Sequence, residues 1–546
     1  MTQIASPARV PRWGMVVDLN RCVGCQTCTI ACKHANDTLP GVQWRSVLDV
    51  ERGEFPDVER FFLVVGCQHC SDPPCVPVCP TGATSQRADG LVLQTYDLCI
   101  GCSYCAVSCP YQARTIVHDW PSYFPQGATP QEVKVEHPER RGVVQKCTFC
   151  KDKVDAGLVA GLVPGKDWEA TPACANACIS QAIKFGDFAD PTSQVSRLAR
   201  DNRHFLMHEE LGTRPNIRYL YETPAVPGRE ADASDLSDEA LSDPNSPLVG
   251  KVQTFWDYRG AMNFMLGGVG SGLALLVIAA YFGGVVEERA LLGLLVVAGA
   301  IMGVGLLFVF AKIGRKERFL NALLRPQTSW MSREIYVVGA FYLVLLIDLL
   351  RPSLALHGLV ALLALAFLVC QARILFAAKG IPAWRVSTTP WMLTVTGLYE
   401  GTGALLIALA FLSPDGAASV YFTPVGAMLA LVSAAFWQDY RRTAKARGIS
   451  PLARREIENI SGTLEVLGHF GPLALMLIAT ALGGKTAAIA GAVGGLAAIA
   501  GGLFWKFEVI CRAAHHQGYA VPIMPQRGSG NRAAPTLPAV LRAAAE

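Results

Sequence analysis

Charge is scarce in this 546-residue chain. Asp, Glu, Lys and Arg make up 17% of it, where soluble domains carry about 25%. The formal net charge is only +4, so the overall balance offers nucleic acid no attraction. Met1 to Asn20 hold no apolar stretch of the kind that serves as a secretory signal. Arg9 and Arg12 stand apart, so there is no twin-arginine pair either. No long apolar run occurs before about residue 225. Against these absences stand a hydrophobic content of 51% and 18 cysteines. The first excludes a chain disordered throughout, and the length excludes a small disulfide-stapled secreted domain. A membrane protein that carries a cysteine-rich globular part is what remains.

The two kinds of sequence are segregated. Sixteen cysteines lie between Cys22 and Cys178; the other two, Cys370 and Cys511, fall in or beside apolar stretches. Residues 1–225 read as a soluble, turn-rich domain. Residues 226–255 read as an acidic flexible linker, because Arg229–Pro244 holds six acids, three serines and no aromatic residue. Residues 256–510 are a succession of apolar runs, and residues 511–546 read as a C-terminal tail. A helix crosses the hydrocarbon layer in about 20 residues. Eight spans are expected, near 261–282, 290–311, 335–350, 353–376, 389–412, 419–437, 461–482 and 485–505, the third and sixth being short. Abundant Gly and Ala, as in Ala487–Gly502, suit close helix packing in lipid.

Lys and Arg mark cytoplasmic loops, because they resist translocation. The loops after spans two, four and six contain fifteen of them, among them Lys312, Arg315, Arg325, Arg333, Arg373, Arg385, Arg441 and Arg454. The opposite loops offer Arg289, Arg351 and Lys485. With an even number of spans both termini share the basic side. The cysteine domain is therefore expected on the cytoplasmic face of the inner membrane, in keeping with the missing export signal. Docking of a partner protein is a second explanation for some of those bases.

The sixteen cysteines fall into four groups of four. Cys22, Cys25, Cys28 and Cys32 have the spacing C-x2-C-x2-C-x3-C; Cys99, Cys102, Cys105 and Cys109 repeat it and run on into Pro110. In that spacing three thiolates hold one [4Fe–4S] cube and the fourth reaches a neighbouring cube. Cys67, Cys70, Cys75 and Cys79 have a longer middle gap and end at Pro80; in Cys147, Cys150, Cys174 and Cys178 the middle gap is 23 residues. Zinc is the main alternative, since C-x2-C pairs also build sites of four thiolates, but such sites use two separated pairs, not an unbroken run. Disulfides are disfavoured in a chain with no export signal. At four thiolates per cube the sixteen make four cubes. Such a row moves single electrons over a distance too long for one step.

The order RCVGCQTCTIACK, CSDPPCVPVCP, CIGCSYCAVSCP and KCTFCKDK…ACANAC resembles the iron–sulfur subunits of the dimethyl sulfoxide reductase and polysulfide reductase families, over residues 14 to about 190. The resemblance implies clusters shared crosswise. Cys22, Cys25 and Cys28 would take Cys178, and Cys147, Cys150 and Cys174 would take Cys32. Likewise Cys67, Cys70 and Cys75 would take Cys109, and Cys99, Cys102 and Cys105 would take Cys79. One departure is Ile179, where a proline often follows the last cysteine. LLRPQTSWMSREI (Leu323–Ile335), KGIPAWRVSTTP (Lys379–Pro390) and KFEVICRAAHHQGYAVP resemble the membrane anchor subunits of the same reductases. The implied fold is an α+β, bacterial-ferredoxin-like four-cluster domain followed by an all-α membrane bundle of eight transmembrane helices. The implied function is electron transfer between a separate molybdopterin-containing catalytic subunit and the quinone pool, menaquinone or ubiquinone. A stand-alone ferredoxin:quinone oxidoreductase and a zinc-binding membrane scaffold are the alternatives. A cytoplasmic cluster domain favours substrate oxidation, with sulfite as the first candidate.

A quinone site needs an apolar slot, a hydrogen-bond donor and a proton carrier near the last cluster. In the anchor family the acid of the SREI motif is implicated in quinol binding. Glu334 matches it, beside Arg333 and Trp330; a Glu334–Arg333 interfacial pair is the plainer reading. Relatives can carry a histidine near the position of Lys312. Ionisable residues inside spans are costly and often functional. Glu400 in span five, and Glu465 with His469 at i and i+4 in span seven, are proton-relay or pocket candidates, with interhelical hydrogen bonding as the alternative. Asp348 is expected at the interface. No haem is expected, because His469 has no companion histidine at its depth and His357 starts span four on the opposite side.

Overall fold

The computed structural model describes residues 9–52, 59–119, 122–135, 137–221, 242–446, 449–519 and 521. Residues 222–241, which hold most of the expected linker, and 522–546 of the expected tail lie outside the described residues.

The N-terminal half is built on β1 (Trp13–Asp18), all six residues of which are buried. It pairs in parallel with β10 (Ile217–Leu220) and antiparallel with β8 (Ile183–Asp187), and β9 (His204–Phe205) continues the sheet in the order β8-β1-β10-β9. Successive strand side chains point to opposite faces. Val16 therefore packs with Val195, Leu198 and Ala199 of helix α6 (Gln194–Asp201), while Met15 and Val17 enter the core that holds the cysteines. Three two-stranded ribbons complete this half: β2 (Arg45–Arg52) with β3 (Glu59–Gly66), β4 (Thr84–Gln86) with β5 (Val92–Gln94), and β6 (Thr115–Ile116) with β7 (Val144–Gln145). Its other helices are short: α1 (Thr27–Ala35), α2 (Tyr104–Val107), α3 (Pro130–Lys134), α4 (Lys151–Val159) and α5 (Ala173–Asn176). All but α3 begin within or beside a cysteine group.

The second half is helical: α7 (Tyr258–Phe282), α8 (Glu288–Lys312), α9 (Trp330–Leu350), α10 (Leu354–Phe376), α11 (Thr389–Leu412), α12 (Ser419–Ala446), α13 (Pro451–Thr463), α14 (Gly471–Leu482) and α15 (Gly484–Phe507). Seven helices among the described residues are long and apolar enough to cross a membrane: α7, α8, α10, α11, α12, the continuous helix Pro451–Leu482 and Gly484–Arg512. The third expected span corresponds to α9, which falls outside that set; it has 21 residues and carries Arg333, Glu334 and Asp348.

Glycine lets the central helices touch along their backbones. A Cβ on Gly401 of α11 would lie 2.1 Å from the carbonyl carbon of Gly272 in α7, and one on Gly403 would lie 2.4 Å from the Gly495 oxygen in α15. Between α13 and α14 the helix widens into a π turn, Leu464–Phe470. Pro472 follows it; proline lacks an N–H and its ring clashes with the carbonyl four residues earlier. That carbonyl is Gly468 O, which the widened turn frees to accept from Tyr399 OH at 3.2 Å.

The halves dock through the third cysteine group. Gly101, Gly142 and Gly314 meet backbone to backbone; a Cβ on Gly101 would lie 2.1 Å from Gly142 O and 3.0 Å from Gly314 Cα. Tyr104 OH donates to Ile374 O (2.7 Å), Ser329 Oγ to Val78 O (2.9 Å) and Arg318 Nη1 to Tyr96 O (2.7 Å). Bases of the loop after α8 thus dock on this chain's own cysteine domain. Residues 248–255, the end of the expected flexible linker, are packed as well: Gln253 N donates to Ala514 O (2.9 Å), and Leu248 lies in the cysteine-domain core with Val521.

Candidate functional site

The structure brings the sixteen cysteines together in the crosswise sets. Cys22, Cys25, Cys28 and Cys178 line one void; Cys67, Cys70, Cys75 and Cys109 a second; Cys79, Cys99, Cys102 and Cys105 a third. The fourth set is Cys32, Cys147, Cys150 and Cys174, whose thiolates act on one another. Asn36 Nδ2 lies 3.8 Å from both Cys32 Sγ and Cys150 Sγ. Cys370 and Cys511 belong to none of these sets.

Local backbone shape explains the convergence. In every group the residue before the second cysteine has a left-handed conformation: Gly24, His69, Gly101 and Phe149, at φ 69°, 43°, 71° and 54°. Such turns gather backbone N–H groups into a concavity that suits an anion. His69 and Phe149, at equivalent places in groups two and four, stack with centroids 3.8 Å apart. Backbone donors already point at sulfur: Ala182 N to Cys178 Sγ at 3.2 Å, and Thr84 N to Cys79 Sγ and Phe149 N to Cys147 Sγ, both at 3.4 Å. Burial pushes the Cys105, Cys109 and Cys174 thiols up to about 12, so thiolates form there only against a bound cation. No group of three or more His, Cys, Asp or Glu among the described residues is spaced to hold a single metal ion. Sets of four thiolates around a void fit a cube.

A cavity of about 360 Å³ lies between α7, α8 and α9, directly against the third set. Cys102, Trp256, Asn263, Lys312 and Glu334 line its inner end, and its apolar walls include Leu307 and Phe310, 65% and 40% exposed on the lipid-facing side of α8. Glu334 is buried and its Oε1 accepts from Asn263 Nδ2 at 3.2 Å; Gln371 Nε2 holds Asn263 O at 2.8 Å. Trp256 Nε1 donates to Cys102 O at 3.1 Å, and Lys312 Nζ lies 5.8 Å from the Trp256 ring centre. The cavity can take a flat apolar ring, hydrogen-bond it and exchange a proton, beside a set of four thiolates.

The other candidates are placed elsewhere. Arg333 does not pair with Glu334: it stacks on Trp330 at 4.3 Å and donates to Pro326 O and Gln327 O at 2.7 Å. Trp330 is held between Arg333 and Arg373, outside the cavity. Glu400 is fully buried against Lys506 Nζ at 2.6 Å, the interhelical alternative. Glu465 takes Arg441 and Gln438 at 2.7 Å each, and His469 Nε2 meets Ser433 Oγ at 3.1 Å, so both face α12 and neither reaches the cavity. Asp348, expected at the interface, is instead fully buried and bonded to His357 Nδ1 at 2.7 Å. Asn263, Gln371, Trp256 and Lys506 were not among the expected site residues; a lone polar or aromatic residue in or beside a span was the only sign of each.

Residues 58–122 match the 4Fe-4S dicluster domain family, which spans groups two and three, and residues 262–444 match the DMSO reductase anchor subunit (DmsC) family. A selenate reductase subunit from Mesobacillus selenatarsenatis is 39% identical over 232 residues, 40% of this chain and 74% of that protein. The arsenate respiratory reductase iron-sulfur subunit from a Shewanella species is 36% identical over 236 residues, 38% of this chain and 96% of its own. The chain belongs to the iron–sulfur subunits of the dimethyl sulfoxide reductase family. A sulfite dehydrogenase subunit from Allochromatium vinosum, 37% identical over 237 residues, is similar as well, with 40% of this chain and 83% of that one covered. This iron–sulfur protein carries its membrane anchor on the same polypeptide, which makes it an electron-transfer and anchor subunit of a reductase-type complex with a separate catalytic partner.

Proposed function

We propose that the chain carries electrons between a molybdopterin-containing catalytic subunit and the membrane quinone pool, through four [4Fe–4S] clusters held by the four cysteine sets. The observation that carries this reading is the cavity of about 360 Å³ that both Glu334 and Cys102 line. Clusters held by these cysteines would supply electrons singly, whereas the conversion of quinone to quinol needs two electrons and two protons. The chain's own residues supply the rest. The apolar walls between α8 and α9 admit the ring from lipid, Asn263 holds the Glu334 carboxyl in place, and Glu334 exchanges a proton with the ring oxygen. Trp256 ties the cavity floor to the Cys102 loop.

Residues 1–225 are taken as the cluster domain, 226–255 as the link, 256–510 as the anchor and 511–546 as the tail. The 21 residues of α9 extend roughly 30 Å at 1.5 Å each, enough for an eighth span. Both termini then lie on the side of the basic loops, the cytoplasmic side of the inner membrane. On that side electrons flow from substrate to quinone, with sulfite tested first. A reporter fused after Glu546 that is active only in the periplasm would reverse the orientation and, with it, the direction.

The test is metal content of the complex purified without oxygen from its own host. About sixteen iron atoms per chain, with about one molybdenum or tungsten, is the expected result. The same iron with neither metal and no large companion chain would make it a stand-alone quinone oxidoreductase. Zinc in place of iron would overturn both.

A further inference from the structure

The cysteine domain buries a cation that the transfer chemistry leaves unexplained. Arg114 lies five residues after Cys109, at the entrance to β6, and is 3% exposed. Its guanidinium stands between two cysteine sets. Arg114 lines the void of Cys67, Cys70, Cys75 and Cys109. Its Nη1 donates to Thr84 Oγ1 at 3.2 Å and Gln94 Oε1 at 3.1 Å, and both acceptors line the void of Cys79, Cys99, Cys102 and Cys105. Nη2 has no acceptor, and no carboxylate pairs with this arginine among the described residues.

A charge buried without a counter-charge costs several kcal/mol, so something must balance it. The groups on either side of Arg114 are the cysteine sets whose voids it and its acceptors line. The balance is therefore between one guanidinium and the ligands of two clusters.

We propose that Arg114 is a tuning residue that raises the reduction potentials of the two clusters on either side of it. The inference rests on the cluster reading above. Reduction adds one negative charge to an already anionic cluster, and a fixed cation in a low-dielectric interior favours that step. Because the cation lies between the two sites, it acts on both. It shifts the pair nearest the membrane relative to quinone without opening a gap between its members. Arg45 is its counterpart in the other pair. It is 1% exposed, its Nε and Nη1 have no acceptor, and the thiolates of Cys174, Cys147 and Cys32 act on it.

The test is a redox titration of the full complex followed by electron paramagnetic resonance, with iron measured on each sample. In Arg114→Gln at full iron, two of the four clusters should become harder to reduce. The expected loss is about tenfold in each reduction equilibrium, which is 59 mV for one electron. Arg114→Lys should stay near wild type, and Arg45→Gln should shift the other two clusters. Gln94→Glu supplies a carboxylate to the guanidinium without removing it, and should lower the same two potentials as Arg114→Gln. It decides the matter if Arg114→Gln fails to load iron. Unchanged potentials in a loaded Arg114→Gln or Gln94→Glu would overturn the inference, as would a Lys variant shifted as far as the Gln variant. Wild-type iron far below sixteen would instead overturn the cluster reading itself.

Discussion

Glu334 and Asp348 lie on the same helix, and both are buried, yet their partners give them different work. Glu334 faces a cavity and its partners are neutral amides, Asn263 and Gln371. Asp348 is enclosed with His357 at 2.7 Å at the other end of α9. The first arrangement leaves a carboxyl free to exchange a proton; the second uses one to hold α9 to α10. Asp348→Ala is therefore expected to lower thermal stability in detergent. The loss should fall between roughly 1 kcal/mol, usual for interhelical bonds in lipid, and about 3 kcal/mol for a buried charge left unpaired. Iron content should stay unchanged, and an unaltered melting temperature would contradict the structural role. Arg333→Gln touches a stacked, loop-bound side chain and should leave quinol turnover within about twofold, read by a quinol-linked assay. The cysteines and Glu334 were legible in the sequence because spacing and motif carry their chemistry. The partners of Glu400 and Asp348 were not, because a lone charge in a span does not say which helix it will meet.

At the scale of elements, apolar length locates helices: seven of the eight expected spans fall on helices long and apolar enough to cross a membrane among the described residues, and the third falls on α9, outside that set. What length cannot give is how the helices meet. The α7–α11 contact depends on bare backbone at Gly272 and Gly401, and Gly401→Val forces two helices apart. It is expected to cost more than the roughly 1–3 kcal/mol of ordinary overpacking and to abolish a monodisperse peak in size-exclusion chromatography. Gly358→Ala on α10, where an added Cβ meets nothing within 4 Å, should leave that peak intact. The π turn at Leu464–Phe470 has a visible cause in Pro472, but the widening that keeps the helix continuous is a property of its packing. It also shows why Glu465 and His469, taken as a pair from their spacing, serve separate contacts on α12.

Over the whole molecule, the basic loops serve the fold. Arg318 holds Tyr96 O at 2.7 Å, and Arg315 holds Pro138 O at 2.5 Å and Arg141 O at 2.8 Å, so part of the charge bias goes into fixing the cluster domain over the bundle. That docking places the Cys102 loop against the cavity. Sequence order made the four cysteine groups evident, but which set would face the membrane follows from contacts in the structure, such as Gly101 with Gly314 and Tyr104 with Ile374. If the cavity takes quinone as proposed, electrons and protons part company here, and Glu334 is the group placed to handle the proton. The most direct test is stopped-flow mixing of the anaerobic, oxidised complex with a quinol, following the visible bleaching of the clusters. Wild type should bleach rapidly. Glu334→Gln, at equal iron content, should bleach slower by about 10²-fold or more, the usual effect of removing an acid–base group. Equal rates in the two proteins would contradict a proton-handling role for Glu334.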